Sequence, residues 1–378
     1  MIETINIILL VLIGSYAVFT TGLVVLWFSI PKKTCPKAST TITLSVIVPV
    51  RNEAQNILQL LRDLEQQSLP NQQFEVIIVD DASTDQTVEL VRQFQATSTC
   101  PIYLLELSDV FTESPKKRAI ESAIHTAKGT LIVTTDGDCR VGSGWLEAIA
   151  NCYEQTQARL ISGPVTFTAE QGLMDHLQTV EFSSLIGSGA CAIAAGKPTM
   201  CNGANLTYPK AVFMEVGGFE GVRHIASGDD EFLMHKIASK YPRDIYFLKQ
   251  DESVVQTTAH KEWRQFYRQR KRWASKWKHY KSLVPQALAL YIFSCNAALI
   301  LAIALAVSGF MSFSTLLTIL LLKWVPEWFF IGSILSFLKK KKSIPYIPLV
   351  QVVYPFYVTF FGLVVQHPEY EWKGRKLV

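Results

Sequence analysis

Two aspartates separated by one glycine follow a short apolar run, and this spacing suits a divalent-metal site. Asp136-Gly137-Asp138 comes directly after the apolar residues 131–135. Carboxylates on either side of a glycine can both bind one hard cation, Mg²⁺ or Mn²⁺, and leave positions open for two phosphate oxygens. A polar turn is the structural alternative, because Asp-Gly is common in turns. The apolar run directly before the motif favours the metal site.

A second acidic pair, Asp80-Asp81, ends the apolar run at residues 76–79. A carboxylate in this position can accept hydrogen bonds from a nucleobase or a ribose. Capping of the following helix is the alternative, but Ser83 or Asp85 could do that equally well. We therefore favour ligand binding for Asp80 and Asp81.

Three consecutive acids, Asp229-Asp230-Glu231, stand between Ser227-Gly228 and an apolar helical stretch. One of them could act as a general base that takes a proton from a reacting hydroxyl. Helix N-termini also favour negative charge, and this structural explanation is equally good. The sequence leaves both interpretations open.

A basic aromatic stretch near residue 270 contains Gln269-Arg270-Lys271-Arg272-Trp273. Basic residues occupy most of the positions between its aromatic residues. The aromatic residues recur at steps of three and four and are Trp263, Phe266, Trp273, Trp277 and Tyr280. This pattern predicts a helix lying on a membrane surface. Arg272 could in addition bind a diphosphate through two parallel hydrogen bonds.

The elements that must position these residues alternate between buried strands and helices. The apolar run at Leu44–Val50 suits a strand buried on both faces, 76–79 a second buried strand, and 102–105 and 131–135 a third and a fourth strand. Helical spacing follows at 53–67, around Val91 and around Ala123. This order predicts an α/β fold with a doubly wound parallel sheet, in which ligands bind beyond the carboxyl ends of the strands. The first strand-to-helix turn, residues 51–54, has no glycine and excludes a dinucleotide-binding loop.

The composition indicates a membrane protein with a folded soluble part. Of the 378 residues 49% are hydrophobic and only 18% are charged, which argues against a disordered chain and against a purely soluble enzyme. The net charge of +4 is too small to indicate nucleic acid as a partner. Seven cysteines without a CxxC pair favour a reducing compartment.

Long apolar segments flank the α/β region. Residues 5–30 can span a bilayer, and Lys32, Lys33 and Lys37 follow them, so we expect an uncleaved anchor with its N-terminus outside and the next segment in the cytoplasm. Residues 286–308 and 312–337 can also span. Lys323 and Glu327 in the last of these are four residues apart and can pair on one helix face.

The end of the chain allows two topologies. The lysines at 339–342 indicate a cytoplasmic side. The apolar residues 344–365 contain three prolines. If this segment crosses the membrane, the basic tail with Lys373, Arg375 and Lys376 lies outside, against the usual charge rule. A re-entrant or interfacial segment is the alternative.

In order and context, these motifs resemble the membrane-embedded family 2 glycosyltransferases. Residues 45–53 (SVIVPVRNE) resemble the family's opening strand, 79–85 (VDDASTD) its nucleotide-binding turn, and Lys116 or Lys117 the basic residue before an alanine-rich helix. Asp136-Gly-Asp138 fits its DxD motif, Asp229-Asp230-x-x-Leu233 its ED-x-x-L and Gln269-x-x-Arg272-Trp273 its QxxRW. The chain departs from the family pattern with aspartate at 229 in place of glutamate, and with Glu121 where asparagine is usual.

The resemblance implies a GT-A fold, which is a mixed, mainly parallel α/β sheet, with flanking transmembrane helices. It implies inverting transfer from a nucleotide-sugar, by family habit a UDP-sugar, to a membrane-associated lipid or glycan acceptor, with Mg²⁺ or Mn²⁺ on Asp136 and Asp138. The implied catalytic residues are Asp230 as the base, Asp229, Arg272 and Trp273. The implied donor-binding residues are Pro49, Glu53, Asp80, Asp81, Lys116, Lys117, Asp136 and Gln269. Residues 200–205 would form the acceptor-side loop.

The expected organisation is an anchor at 1–31, a cytoplasmic catalytic domain at 42–260, an interfacial basic helix at 261–283, membrane segments at 284–366 and a basic tail at 367–378. Four membrane segments at most make a sugar channel within one chain hard to build. We therefore favour single-sugar transfer in envelope glycan or glycolipid synthesis over a processive polysaccharide synthase. A non-catalytic sugar-nucleotide-binding scaffold is less favoured, because all the expected acids are present. The sequence fixes neither the sugar nor the acceptor.

Overall fold

The structure, a computed structural model, describes residues 2–32, 42–110, 112, 114–275, 283–364, 370–372 and 375–377. Features predicted at Lys33, Cys35, Lys37, Trp277, Tyr280 and Lys373 lie outside these residues. The chain forms two compact units. We call residues 1–29, 169–191 and 259–368 the helical unit, and residues 30–168, 192–258 and 369–378 the sheet unit.

Seven strands form one mixed sheet in the sheet unit, in the order β3-β2-β1-β4-β7-β5-β8. They are β1 Leu44–Val50, β2 Phe74–Asp80, β3 Ile102–Glu106, β4 Leu131–Thr134, β5 Leu160–Ser162, β7 Leu206–Pro209 and β8 Ile245–Phe247. Strands β1 to β4 are parallel, whereas β7 runs antiparallel to both β4 and β5. Two further parallel strands, β6 Val165–Phe167 and β9 Val255–Thr257, form a second sheet. The expected mixed, mainly parallel α/β architecture is confirmed.

The helices of this unit pack their apolar faces on the sheet. They are α2 Ile57–Glu65, α3 Thr87–Thr97, α4 Pro115–Thr126, α5 Trp145–Thr156, α7 Lys210–Glu215 and α8 Asp229–Lys240. Ala119 and Ala123 of α4 are fully buried in one cluster with Ile47 and Ile132 of the sheet and Leu233 of α8. Small side chains on α4 allow a close approach of the helix to the strands.

The helix predicted over residues 53–67 begins later, at Ile57. The amide groups ahead of it bind side chains of the neighbouring β2–α3 turn. Glu53 N donates to Thr87 Oγ1 over 2.8 Å, and Ala54 N donates to Asp85 Oδ2 over 3.1 Å. These side-chain acceptors compete with helix formation and link the two turns at the sheet edge.

Among the described residues, the helical unit contains four helices that are long and apolar enough to cross a membrane. They are α1 Ile2–Ser29, α10 Leu283–Val307, α11 Phe313–Phe337, and a span over Lys341–Gly362 that comprises a 3₁₀ turn, Lys341–Tyr346, and most of α12 Ile347–Val364. Helix α6 Leu173–Ala194, most of which lies in this unit, and α9 Trp263–Ser275 are the other described helices. At the end of the chain, β10 Tyr370–Trp372 and β11 Arg375–Leu377 pair antiparallel.

A buried polar network lies in the middle of α11. Lys323 Nζ is 2.5 Å from Glu327 Oε1, which confirms that these two residues pair. Tyr16 of α1 donates to the same oxygen over 2.6 Å, and Gln351 of α12 donates to Glu327 Oε2 over 3.1 Å. Ionisable groups inside an apolar bundle are costly unless paired, and this network supplies the partners.

Candidate active site

The Asp136-Gly137-Asp138 turn lies directly beyond the carboxyl end of β4 and packs on the turn after β1. A Cβ atom on Gly137 would lie 2.9 Å from Val50 Cγ1 and 3.0 Å from Glu53 Cγ, so a side chain at this position has no room. Glu53 is buried beneath the turn. The sequence pattern thus has a steric reason, because only glycine allows both aspartates to follow the strand so closely.

Ligand atoms of Asp136, Asp138 and Cys139 all lie within 4.8 Å of one another. Thr257 of β9 donates to Asp138 Oδ2 over 3.3 Å. Thr257 was not among the predicted site residues. Its contact with Asp138 depends on the second sheet, and no pattern in the sequence indicated that sheet. Two carboxylates at this spacing fit a divalent cation.

Lys116, in the first turn of α4, connects this turn to the acids of α8. Its Nζ is 2.6 Å from Asp136 Oδ1 and 3.5 Å from Asp229 Oδ2. Burial lowers the pKa of Lys116, but the carboxylates of Asp136 and Asp229 outweigh that effect and raise the pKa well above that of a free lysine. The ammonium group of Lys116 therefore lies between two acids that favour its charged form.

Lys117 points elsewhere. It is only 2% exposed, and its Nζ donates to the backbone carbonyls of Val222 at 2.9 Å, Ser227 at 3.0 Å and Ile225. These bonds fix the loop that leads into α8. The sequence did not separate the two lysines, whereas the structure places Lys116 against the acids and Lys117 in a supporting position.

Asp229 and Asp230 open α8, after Gly228 with a φ of 78°. Asp230 Oδ2 accepts a hydrogen bond from the amide of Gly203 at 3.0 Å, and Oδ1 accepts one from the amide of Glu231 at 2.8 Å. A Cβ atom on Gly203 would lie 3.0 Å from Asp229 Oδ2. The 200–205 loop therefore meets both acids through a glycine, a contact that the sequence did not predict.

The loop that carries Gly203 is held by its two asparagines. Asn202 accepts from the amide of Ala204 at 3.0 Å. Asn205 donates to the carbonyls of Pro164 and Ser253, at 2.8 Å each, and accepts from Trp145 Nε1 at 3.0 Å. Because all these groups are paired, the Gly203 amide is presented to Asp230 by a fixed backbone.

Asp80 is the last residue of β2 and pairs with Val50 of β1, and Asp81 follows directly after the strand. Pro49 of β1 pairs with Val79 of β2. Asp80 is 3% exposed; its Oδ2 accepts from Ser83 N at 3.0 Å, while its buried Oδ1 has no hydrogen-bond partner among the described residues. Arg51 donates to the backbone carbonyls of Asp81 and Ala82. Arg51 was not predicted as a site residue, although it fixes the turn that presents Asp80 and Asp81.

Gln269, Arg272 and Trp273 lie on α9 in the helical unit. The residue between them, Arg270, is 4% exposed and forms an ion pair with Glu181 of α6. Its guanidinium lies 4.3 Å from the centroid of the Trp273 ring, and it donates to Gln269 Oε1 over 2.9 Å. Arg270 therefore contacts two residues of the predicted motif, Gln269 and Trp273. Glu181, an acid within the largely apolar segment 173–194, was the feature of the sequence that could have indicated a buried partner for Arg270.

A comparison with known proteins places the chain in a family. The family model described as "Glycosyl transferase family 21" matches residues 7–378. Glycosyltransferase AglE of Haloferax volcanii is 30% identical over 192 residues, which are 51% of this chain and 60% of that protein. The dodecaprenyl-phosphate galacturonate synthase of Rhizobium johnstonii is 30% identical over 125 residues, or 32% of this chain and 36% of that protein. The chain thus matches less than two thirds of the length of either relative.

A solved structure shares the fold. The mannosyltransferase PcManGT from Pyrobaculum calidifontis, in complex with GDP-Man and Mn²⁺, superimposes with a TM-score of 0.61 at 19% identity, over 93% of this chain and 99% of that chain. The sheet is accordingly of the GT-A type. The chain belongs to glycosyl transferase family 21.

Proposed function

We propose that this glycosyltransferase moves a single sugar from a nucleotide-sugar to a membrane-associated acceptor, with inversion at the anomeric carbon. The observation that carries the proposal is the convergence of Asp136, Lys116, Asp229 and Asp230 at the carboxyl edge of the sheet, within direct contact of one another or of Gly203. In this proposal the convergence joins a metal ligand, Asp136, with a cation for phosphate, Lys116, and a base, Asp230. We assign the reaction to residues 42–260.

The charge of this site supports a divalent cation. Asp136, Asp138, Asp229 and Asp230 bring four carboxylates to the edge, and Lys116 forms ion pairs with two of them, Asp136 and Asp229. Such a site would repel a diphosphate unless a cation neutralised the excess. Asp138 and the second oxygen of Asp136 would hold Mg²⁺ or Mn²⁺, which when bound would neutralise the leaving diphosphate. The PcManGT structure contains both GDP-Man and Mn²⁺.

The nucleoside would bind at the end of β2. An unpaired buried carboxylate oxygen costs free energy, and Asp80 Oδ1 is such an atom among the described residues. A ribose hydroxyl or a base N–H would satisfy it. Asp81 follows Asp80 on a turn that Arg51 holds through its backbone carbonyls. We propose Asp81, Pro49 and Glu53 as further donor-side residues, and Glu53 would act by supporting the Asp136-Gly137-Asp138 turn. Lys116 would accompany the diphosphate.

The reaction needs one proton acceptor. Asp230 accepts the amides of Gly203 and Glu231, which hold its carboxylate at the start of α8, and a carboxylate can act as a general base toward an acceptor hydroxyl. The acceptor oxygen would form its bond to the anomeric carbon while the bond from that carbon to the diphosphate oxygen breaks. The electron pair leaves with the diphosphate, and the hydroxyl proton moves to Asp230. Asp229, held by Lys116, would set the position of its neighbour.

The helical unit supports a membrane acceptor. Four helices can cross a membrane, and one relative is named for galacturonate transfer to dodecaprenyl phosphate. We therefore favour a lipid or lipid-linked acceptor, reached from the cytoplasmic side. Arg272 and Trp273 remain proposed for the diphosphate and the acceptor, and the buried Arg270–Glu181 pair would hold their helix.

Nucleoside diphosphate release tests the proposal. Full-length protein in lipid nanodiscs should release UDP or GDP from one member of a donor panel when Mn²⁺ and a membrane lipid extract are present. Mass spectrometry of the lipids should show one added sugar; a ladder of additions would indicate a processive synthase. The matched control is Asp230→Asn protein at equal folded fraction. Absence of release across the whole panel would favour a non-catalytic scaffold.

A further inference from the structure

A cysteine completes the group of potential metal ligands at the β4 turn. Cys139 directly follows Asp138, is 1% exposed, and its Sγ is 3.8 Å from Asp138 Oδ1. With one oxygen of Asp136 the three ligand atoms lie within 4.8 Å of one another. Two ligands of one ion, each about 2.0–2.3 Å from it, can be at most about 4.6 Å apart, which is close to the observed spacing.

We propose that Cys139 supplies a third, sulfur ligand at the Asp136–Asp138 site and so gives this site a preference for thiophilic divalent cations such as Co²⁺, Zn²⁺ and Cd²⁺. The inference rests on the metal site of the proposed function and adds a ligand to it. Two aspartates alone form an all-oxygen site that suits Mg²⁺ and Mn²⁺, whereas a thiolate favours softer ions. On binding, the sulfur gives an electron pair to the cation and the thiol proton passes to solvent, without any change of oxidation state.

The alternative is that Cys139 is an ordinary core residue, since a free cysteine is often buried as a small apolar side chain. Cys152 on α5 is an example in the same unit; it is also buried but is not part of the group at the β4 turn. The two cysteines differ in their neighbours. Cys139 is beside two carboxylates of the sheet edge, and this placement is what a mixed sulfur and oxygen ligand set requires.

Cobalt titration of the full-length protein tests the inference without relying on catalysis. A sulfur ligand gives Co²⁺ an intense sulfur-to-metal charge-transfer absorption that oxygen ligands do not give. Wild-type protein should develop this absorption with one equivalent of Co²⁺. Cys139→Ser should lose it and bind Co²⁺ at least about tenfold more weakly, as expected when a metal site loses a supporting group. Cys152→Ser, the matched control, should retain both the absorption and the affinity.

Absence of the absorption from folded wild-type protein, or its persistence in Cys139→Ser, would show that Cys139 is not a ligand. If the serine variant does not fold, Cys139→Ala removes the same sulfur with a small apolar side chain and gives the same test. Persistence of the absorption in an Asp136→Asn, Asp138→Asn double variant would also refute it, because the sulfur would then bind cobalt elsewhere.

Failure of the proposed function has a different signature. Sugar transfer is measured separately, with Mn²⁺ and the donor panel. Wild-type protein that shows the cobalt absorption but releases no nucleoside diphosphate would refute transfer and leave the sulfur ligand standing. Protein that transfers sugar without the absorption would refute the sulfur ligand alone.

Discussion

Replacement of Asp230 by asparagine separates catalysis from folding at the start of α8. The exchange keeps the size of the side chain but removes its ability to take a proton. The structure adds a second effect: the two carboxylate oxygens accept different amides, from Gly203 and Glu231. Asparagine has one oxygen and can accept only one of them without turning its NH₂ group toward the other donor.

The two effects have different sizes and different observables. An unsatisfied donor costs about 1–3 kcal/mol when buried, and because Asp230 is only half-buried we expect about 1 kcal/mol of lost stability. Loss of a general base lowers turnover about 10²–10⁴-fold, equivalent to about 3–5 kcal/mol in the activation barrier. A purely structural role would therefore lower the melting temperature by a few degrees but leave turnover per folded molecule unchanged.

The assay is turnover per folded molecule, with the donor KM measured in parallel. We expect Asp230→Asn to lose turnover with little change in the donor KM, and the matched variant Asp229→Asn to lose much less. Near-normal turnover of folded Asp230→Asn would refute the assignment. A greater loss in Asp229→Asn at equal folded fraction would assign the base to Asp229 instead.

The remaining predictions concern the metal, the two lysines, the helical unit and the topology. Asp138→Ala should abolish Mn²⁺-dependent thermal stabilisation by the nucleotide-sugar, because too few oxygen ligands remain; unchanged Mn²⁺ dependence would contradict the metal assignment. Lys116→Gln should raise the donor KM about tenfold or more with a modest change in melting temperature, whereas Lys117→Gln should mainly lower the melting temperature, and the reverse pattern would exchange their roles. Glu181→Gln removes one partner of a buried ion pair and should cost about 3–5 kcal/mol of stability in thermal unfolding; an unchanged melting temperature would show that the pair is not formed. Cys201, which is partly exposed, should react with a membrane-impermeant thiol reagent only after cells are opened, and labelling of Cys201 in intact cells would place the sheet unit outside.

The sequence predicted the strands that are buried on both faces. Strands β1, β2 and β4 are mostly apolar and buried, and such runs can be recognised without knowledge of their partners. The sequence also predicted β3, although it lies at the edge of the sheet and exposes Tyr103 and Glu106. Strands β5 to β9 have three or four residues and no comparable pattern. Their pairing depends on contacts far apart in the chain, as between Thr134 and Leu206, so the antiparallel half of the sheet could not be predicted.

The site was predictable where topology alone determines it. Acids that follow parallel strands meet at one edge, and this rule places Asp80 and Asp136 together without any side-chain geometry. The choice between neighbouring residues depends instead on the helix phase. Lys116 and Lys117 are about 100° apart around α4, so one meets Asp136 and the other meets the loop before α8. The order of residue types along the chain does not show which side of α4 faces the sheet edge, so it could not distinguish Lys116 from Lys117.

The packing of α4 connects these two levels. Lys116 reaches Asp136 because the helix lies close to β1 and β4, and it lies close because Ala119 and Ala123 are buried against Ile47 and Ile132. The alanines at helical spacing in the sequence thus determine how closely α4 can approach the sheet. An error of about 1 Å in that distance would separate the ammonium from the carboxylates, and displacements of this size can cost about 10²-fold in rate. The apolar core therefore contributes to the chemistry of the site, because it sets the position of the Lys116 ammonium between Asp136 and Asp229.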